Sequence, residues 1–235
     1  MAAGDIDIIP LSGSTDGIPI TIAPLANVTI HTATAVADEL DIIWLYSGGG
    51  VSSTILTMEW GGSGTNDKVD YGGPFALGEV SMMIAGFPLR GGLVIKCLNN
   101  NTGDATVITG VVHRYYGVTT SPLAGQASIL PLSASTNGRP INIPSTSTTT
   151  VHTATSVSDE IDLVTLYAVT TGADPVADMG LDFGGVEIPF TLSGASREFV
   201  LLADKFPMRN GGVVAVNSDV STVNIIGYVE RYNNG

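Results

Sequence analysis

The chain has 235 residues, of which 22 are Asp or Glu and only 9 Lys or Arg, for a formal net charge of −13. A balance this acidic excludes nucleic-acid binding, which needs clustered Lys and Arg against phosphate, and suits solubility or docking onto a basic partner. The single cysteine, Cys97, excludes an internal disulfide framework and lies in the apolar run Leu93–Leu98, which reads as a buried thiol. Only 13% of residues are charged, against about 25% in ordinary soluble domains, so polar neutral residues or other subunits must cover the surface.

Residues 1–8 read as a short lead-in, with no basic region followed by an apolar stretch that would mark a signal peptide. No apolar run reaches the roughly 18 residues needed to span a membrane. Ile8–Leu11 then leads into a turn in which Asp16-Gly17 supplies positive φ. Ile18–Ile22 alternates apolar and other residues and reads as a strand, with Pro19 marking an edge or a strand start.

The next stretch governs the whole reading, because it occurs twice. His31-Thr32-Ala33-Thr34, then Asp38-Glu39-Leu40-Asp41 and Leu45-Tyr46, returns without a gap as His152-Thr153-Ala154-Thr155, Asp159-Glu160-Ile161-Asp162 and Leu166-Tyr167. Pro10-Leu11-Ser12 matches Pro131-Leu132-Ser133 at the same offset of 121 positions. Further on, Phe87-Pro88-Leu89-Arg90-Gly91-Gly92 returns as Phe206-Pro207-Met208-Arg209-Asn210-Gly211. Each repeat closes on Gly-x-Val-x-Arg-Tyr, at Gly110–Tyr115 and Gly227–Tyr232. The offset drifts between these blocks, so insertions fall in loops such as Ser47–Gly50 and Gly61–Gly64, where they are tolerated.

The predicted organisation is therefore a tandem duplication: a first repeat over 1–117, a linker over 118–128 and a second repeat over 129–235. Each repeat holds about eight short strands and no helical stripe beyond a brief turn at Asp204-Lys205. The fold class is all-β, two homologous β-sandwiches of jelly-roll type.

His31 with Asp38, Glu39 and Asp41, and His152 with Asp159, Glu160 and Asp162, form the best candidate constellation. Imidazole and carboxylates are the usual metal ligands and proton carriers. Yet each repeat supplies one such His, where metal sites of this kind need two or three nitrogen ligands, so a structural role reads better. Arg90 and Arg209 are expected to tie a loop to a carboxylate and, with Arg114 and Arg231, to make framework salt bridges or interface contacts. No Gly-x-Ser-x-Gly elbow is present, and Glu59 and Asp182, acidic residues on strands, belong to different repeats. Trp44 and Trp60 read as core. No catalytic residue, metal ligand set or cofactor is predicted.

The His-Thr-Ala-Thr, Asp-Glu-Leu/Ile-Asp, Phe-Pro-x-Arg-x-Gly and Gly-x-Val-x-Arg-Tyr blocks together resemble β-rich virion structural proteins of tailed bacteriophages, most of all capsid decoration (cement) proteins. The resemblance covers residues 8–116 and 129–233. It implies a non-enzymatic protein made in the host bacterial cytoplasm and bound to the capsid exterior. Its partners would be the phage major capsid protein and its own copies, as a trimer or dimer, with no nucleic acid or membrane. Three other readings stand beside it. One is a receptor- or glycan-binding head-fibre or tail module using loop aromatics such as Tyr71, Tyr115 and Tyr116. The others are a capsid subunit built from two jelly rolls and a carbohydrate-active enzyme using two carboxylates.

Overall fold

Alternating apolar positions make the strands of this chain, and turns marked by Gly, Pro and Asn end them. The computed structural model describes residues 5–48, 55–64, 67–72, 80–170, 176–193, 199–219 and 222–235. It divides into two compact units, Met1–Val118 and Thr119–Gly235. Both are all-β, with no α-helix among the described residues.

The first unit contains β1 (Ile6–Pro10), β2 (Ile20–Ile22), β3 (Asn27–Thr32), β4 (Glu39–Gly48), β5 (Ile55–Trp60), β6 (Lys68–Gly72), β7 (Val80–Leu89), β8 (Val94–Asn99) and β9 (Thr106–Tyr116). One sheet runs β1-β9-β4-β7, with β2 also on β9, and the other runs β3-β8-β5-β6. β1 pairs with Val111–Tyr115 and β2 with Thr106–Ile108, so the two are one strand interrupted by the 11–19 loop. Counted that way, eight strands in two four-stranded sheets take the order 1-8-3-6 and 2-7-4-5, which is the jelly-roll arrangement. In the loop that breaks the first strand, Asp16 and Gly17 take φ of 52° and 81°.

The second unit repeats this with β10 (Ala127–Pro131), β11 (Ile141–Ile143), β12 (Ser147–Thr153), β13 (Glu160–Thr170), β14 (Val176–Phe183), β15 (Glu187–Ser193), β16 (Phe199–Met208), β17 (Val213–Ser218) and β18 (Val223–Asn233). Its sheets run β10-β18-β13-β16, with β11 also on β18, and β12-β17-β14-β15. Asn137 and Gly138 take the places of Asp16 and Gly17, with φ of 58° and 94°.

The core of each unit lies between its two sheets. On β4 the fully buried residues Ile43 and Leu45 alternate with Trp44 and Tyr46, which face outward. Trp60, Met58 and Leu56 supply the facing side from β5, and Ile95 and Cys97 from β8. Gly110 and Gly227, the glycines of the repeated closing motif, sit where the strands press closest. A Cβ on either would lie 2.2 Å from the carbonyl oxygen of Trp44 or Thr165, and against Leu11 or Leu132.

Several elements differ from the sequence reading. β1 starts at Ile6, inside the expected lead-in, because Ile6 and Asp7 pair with Tyr115 and Arg114. The expected 118–128 linker ends inside β10, and residues before it bond to the second unit: Asn233 Nδ2 donates to the Pro122 carbonyl, and Gly125 N to the Asn233 carbonyl. Asp204-Lys205 forms no helical turn but lies within β16, at a bulge where Lys205 takes a φ of 51°. The expected Ser47–Gly50 hairpin loop falls partly outside the described residues.

Candidate functional site: a buried His–Asp–Arg network in each unit

The candidate residues converge at the connection from β3 to β4, where the chain passes from one sheet to the other. His31 reaches this point through a β-bulge. Thr29 pairs with Lys96 and His31 with Ile95, so Ile30 is the extra residue. Without it His31 would oppose Val94 and face outward; the bulge turns the ring to the buried side. The second unit does the same, with Val151 bulged between Thr150 and His152.

Asp41 meets the ring from β4. It falls on the same side as Ile43 and Leu45, which puts a carboxylate at the end of the apolar row. Its Oδ2 lies 3.1 Å from His31 Nε2 and accepts a hydrogen bond of 2.8 Å from the Thr34 amide. Arg114 stands directly opposite on β9, where its Nε donates to Asp41 Oδ1 at 2.7 Å and its Nη2 to Oδ2 at 2.8 Å. The ring's other nitrogen, Nδ1, accepts from the Ser12 amide at 3.2 Å. That bond requires Nδ1 to be bare, so the ring proton sits on Nε2 and donates to Asp41.

Glu39 completes the arrangement. Its Oε2 accepts from Thr34 Oγ1 at 2.7 Å and stands 3.8 Å from Arg114 Nε. Thr34 Oγ1 in turn accepts from the Val36 amide, closing the turn before β4. In the second unit Ser133, His152, Thr155, Glu160, Asp162 and Arg231 make the matching bonds, with Arg231 Nε at 2.6 Å from Asp162 Oδ1.

Burial alone pushes the Asp41 pKa up. The hydrogen bonds from Arg114, His31 and the Thr34 amide, with the Arg114 charge, more than offset it and leave the carboxyl at about 2. The same opposition acts on Asp162, whose pKa also falls below the usual carboxylate range. Each aspartate is thus a fixed anion holding a guanidinium, a ring N–H and a backbone amide.

One difference separates the two networks. Arg231 Nη1 also donates to the Thr120 carbonyl at 2.7 Å, and Ser121 Oγ donates to Glu160 Oε1. The Glu160 side chain is 1% exposed, against 17% for Glu39. The segment before β10 therefore closes over the second network.

The arrangement accounts for what the cluster does chemically. Ser12, His31 and Asp41 have the residue types of a nucleophile–base–acid triad but not its geometry. Ser12 Oγ accepts from the Thr32 amide at 2.7 Å, and the imidazole is bonded to the Ser12 backbone instead. With both ring nitrogens engaged, the imidazole has no free lone pair to activate a hydroxyl. Asp41 Oδ2 takes three donors and Oδ1 is held by Arg114 Nε, and among the described residues no three His, Cys, Asp or Glu side chains are grouped as metal ligands.

The remaining candidates are dispersed. The side chains of Asp38 and Asp159 are exposed; their carbonyls accept from the amides of Val118 and Asn234. Arg90 and Arg209 make no ion pair among the described residues, against expectation. They sit at turn positions whose carbonyls accept from Leu93 N and Gly212 N, so the backbone rather than the guanidinium holds each turn. Glu59 accepts from Asn27 Nδ2 at 2.9 Å beside a shallow pocket of about 300 Å³, while Asp182 Oδ1 accepts from Gly185 N and closes its own turn. Tyr115 and Tyr116 are not loop residues. They end β9, and Tyr116 donates to Asp7 Oδ2 at 2.8 Å. Tyr71 lies on β6, and its side chain is outside the described residues.

Sequence reasoning placed Asp41 and Asp162 in the constellation but missed Ser12, Thr34 and their counterparts. The recurrence of Pro-Leu-Ser and of Thr-Ala-Thr at a constant offset was the signal for both.

No family model and no curated protein matches this chain. Solved structures do. Particles derived from infectious bursal virus match over 97% of this chain, at 9% identity and a TM-score of 0.34. The chain spans about two fifths of that protein, 40% of its length. The major capsid protein P2 of bacteriophage PM2 matches over 96% of this chain and 97% of its own, at 11% identity and a TM-score of 0.32. The tandem CBM22-1–CBM22-2 domains of Paenibacillus barcinonensis Xyn10C match over 99% and 98%, at 11% identity and a TM-score of 0.26. At these identities and scores no role passes from any of them to this chain.

Proposed function

We propose that this chain is a non-enzymatic structural protein of a virus particle, bound to the capsid exterior as a decoration protein. The observation that carries the reading is the full jelly-roll strand order, formed twice in one chain around a polar cluster whose groups bond one another. Jelly rolls serve capsids, lectins and cupins. A cupin-like or hydrolytic role needs ligands or a base with free valences, and here the imidazoles and aspartates are spent on joining strands. What is left to act is surface. Two units per chain give two attachment points, and attachment through both raises avidity without new contacts at either. Bridging adjacent capsid subunits would then hold the shell against internal pressure.

The duplication itself favours one second reading, a capsid subunit built from two jelly rolls. Both readings are tested by adding purified protein to expanded heads that lack it. Saturable binding, with the heads surviving heat or dilution that empties bare ones, supports decoration. Spontaneous closed shells from the protein alone support a capsid subunit. A protein that shows no binding to the heads and forms no shells would overturn the structural reading.

A further inference from the structure

Three steps in this chain place Gly directly after Asn: Asn137-Gly138, Asn210-Gly211 and Asn234-Gly235. An asparagine side chain is open to attack by the amide nitrogen of the residue that follows it, and Gly, with no Cβ, hinders that approach least. The first two steps lie in the second unit, in tight turns of one type. Asn137 and Gly138, between β10 and β11, take φ of 58° and 94°, and the Thr136 carbonyl accepts from the Arg139 amide at 3.1 Å. Asn210 and Gly211, between β16 and β17, take φ of 56° and 70°, and the Arg209 carbonyl accepts from the Gly212 amide at 3.0 Å. Each turn has two positive-φ residues at its centre, the geometry for which Asn-Gly is the favoured pair.

What separates the two turns is the glycine amide. Gly211 N donates to the Thr155 carbonyl at 3.0 Å, and Thr155 is itself held by Asp162 and Glu160 of the buried network. Gly138 N makes no hydrogen bond among the described residues, and neither does the Asn137 side chain. Exposure ranks the two the other way, since Asn210 is exposed and Asn137 half-buried.

We propose that Asn137 is a site of spontaneous deamidation, and that Asn210, in the same kind of turn, is protected while the second unit is folded. Gly138 N gives up its proton to solvent base and bonds to Asn137 Cγ. The Cγ–Nδ2 bond breaks, ammonia leaves and a cyclic imide closes. Water then opens the ring at either carbonyl, giving aspartate or isoaspartate and one new negative charge. To reach Cγ the glycine nitrogen must swing out of the turn by rotation about the Asn137 backbone. Gly138 N breaks no hydrogen bond of its own in doing so, whereas Gly211 N must leave Thr155. The aspartate product fits the fold, because the first unit already carries it. Asp16 and Gly17 occupy the matching turn, with φ of 52° and 81° and the Thr15 carbonyl accepting from the Ile18 amide at 2.9 Å. This inference goes beyond the proposed virion role and does not depend on it.

The experiment is peptide mapping by mass spectrometry after the full chain has stood in mildly alkaline buffer, with and without urea. In native buffer the peptide holding Asn137 should accumulate aspartate and isoaspartate. The peptide holding Asn210 should convert about fivefold more slowly or less, the factor for one hydrogen bond of ordinary net strength. In urea, where neither turn persists, the two rates should converge. Asn137→Gln, whose longer side chain must close a larger ring, should abolish conversion at that position and leave the slow rate at Asn210 unchanged. An Asn137 that persists in the folded protein yet converts in urea overturns the inference. So does an Asn210 that converts as fast as Asn137 in native buffer. Circular dichroism shows that the chain stays folded through the native incubation.

Discussion

Asp41 on β4 and Arg114 on β9 stand directly opposite one another and join through two hydrogen bonds, of 2.7 and 2.8 Å, with the His31 ring on the far side of the carboxylate. β4 and β9 belong to one sheet and His31 to the other, so a single carboxylate ties both sheets of the unit where the chain crosses between them. Asp162, Arg231 and His152 repeat the tie. Four donors on one carboxylate make it the anchor of the local network, and removal of it strands all of them.

Asp41→Asn is therefore expected to destabilise the first unit by about 3 kcal/mol, the low end for breaking a buried pair, since Arg114 keeps some access to water. Both tryptophans, Trp44 and Trp60, lie in the first unit, so their fluorescence reports that unit alone, whereas far-ultraviolet circular dichroism reports both. The Asp41→Asn midpoint in urea should fall by fluorescence. Asp162→Asn should leave the fluorescence midpoint in place and lower only the dichroism transition. Equal shifts from both variants in both signals would show that the units unfold as one.

Acid should weaken the same tie. The folded pKa of Asp41, about 2, lies below the ordinary carboxylate value near 3.9. The unfolded state then binds the proton more readily, so the stabilisation is complete above about pH 4 and is lost as the pH falls through 2. The gap corresponds to roughly 2 kcal/mol. The stability difference between wild type and Asp41→Asn should be constant from pH 7 to pH 5 and shrink by about that amount toward pH 2. A difference that stays flat to pH 2 would mean that Asp41 is not an anion held by Arg114.

Part of this was legible in the chain and part was not, for physical reasons. The duplication carried the fold class, because two copies that keep the same strands and turns while their loops drift define each element. Asp41 could be placed inward from alternation alone, since it falls in step with Ile43 and Leu45. His31 could not. Its inward turn depends on a bulge at Ile30, and a bulge has no residue type of its own. The Asp41–Arg114 pairing needs the strand order, which brings together residues 73 positions apart. Arg90 and Arg209 recur within a turn whose backbone bonds recur with them, and recurrence alone does not separate a turn from an ion pair.

A smaller flaw in the core gives a prediction of the opposite sign. Ser47 is fully buried on β4, in line with Asp41, Ile43 and Leu45, and its hydroxyl has no hydrogen-bond partner among the described residues. The matching residue of the second unit is Ala168, also fully buried. A buried hydroxyl without a partner costs about 1 kcal/mol or more, so Ser47→Ala should raise the fluorescence-detected midpoint by up to about that amount. A loss of stability above 0.5 kcal/mol, beyond the usual scatter of neutral changes, would show that the hydroxyl is bonded.

Cys97 provides an independent reading of the first unit. It is fully buried on β8 between the sheets, and burial pushes its thiol up to about 12. Only the thiolate reacts, so at pH 8 the folded protein offers neither access nor the reactive form. An aromatic disulfide reagent should leave Cys97 unmodified in native buffer and modify it in urea, with a midpoint equal to that of tryptophan fluorescence. Asp41→Asn should bring both midpoints down together, while Asp162→Asn moves neither. Prompt modification of the native protein would mean that the strands around β8 open without global unfolding, and the network would then hold the ends of the sandwich without securing its middle.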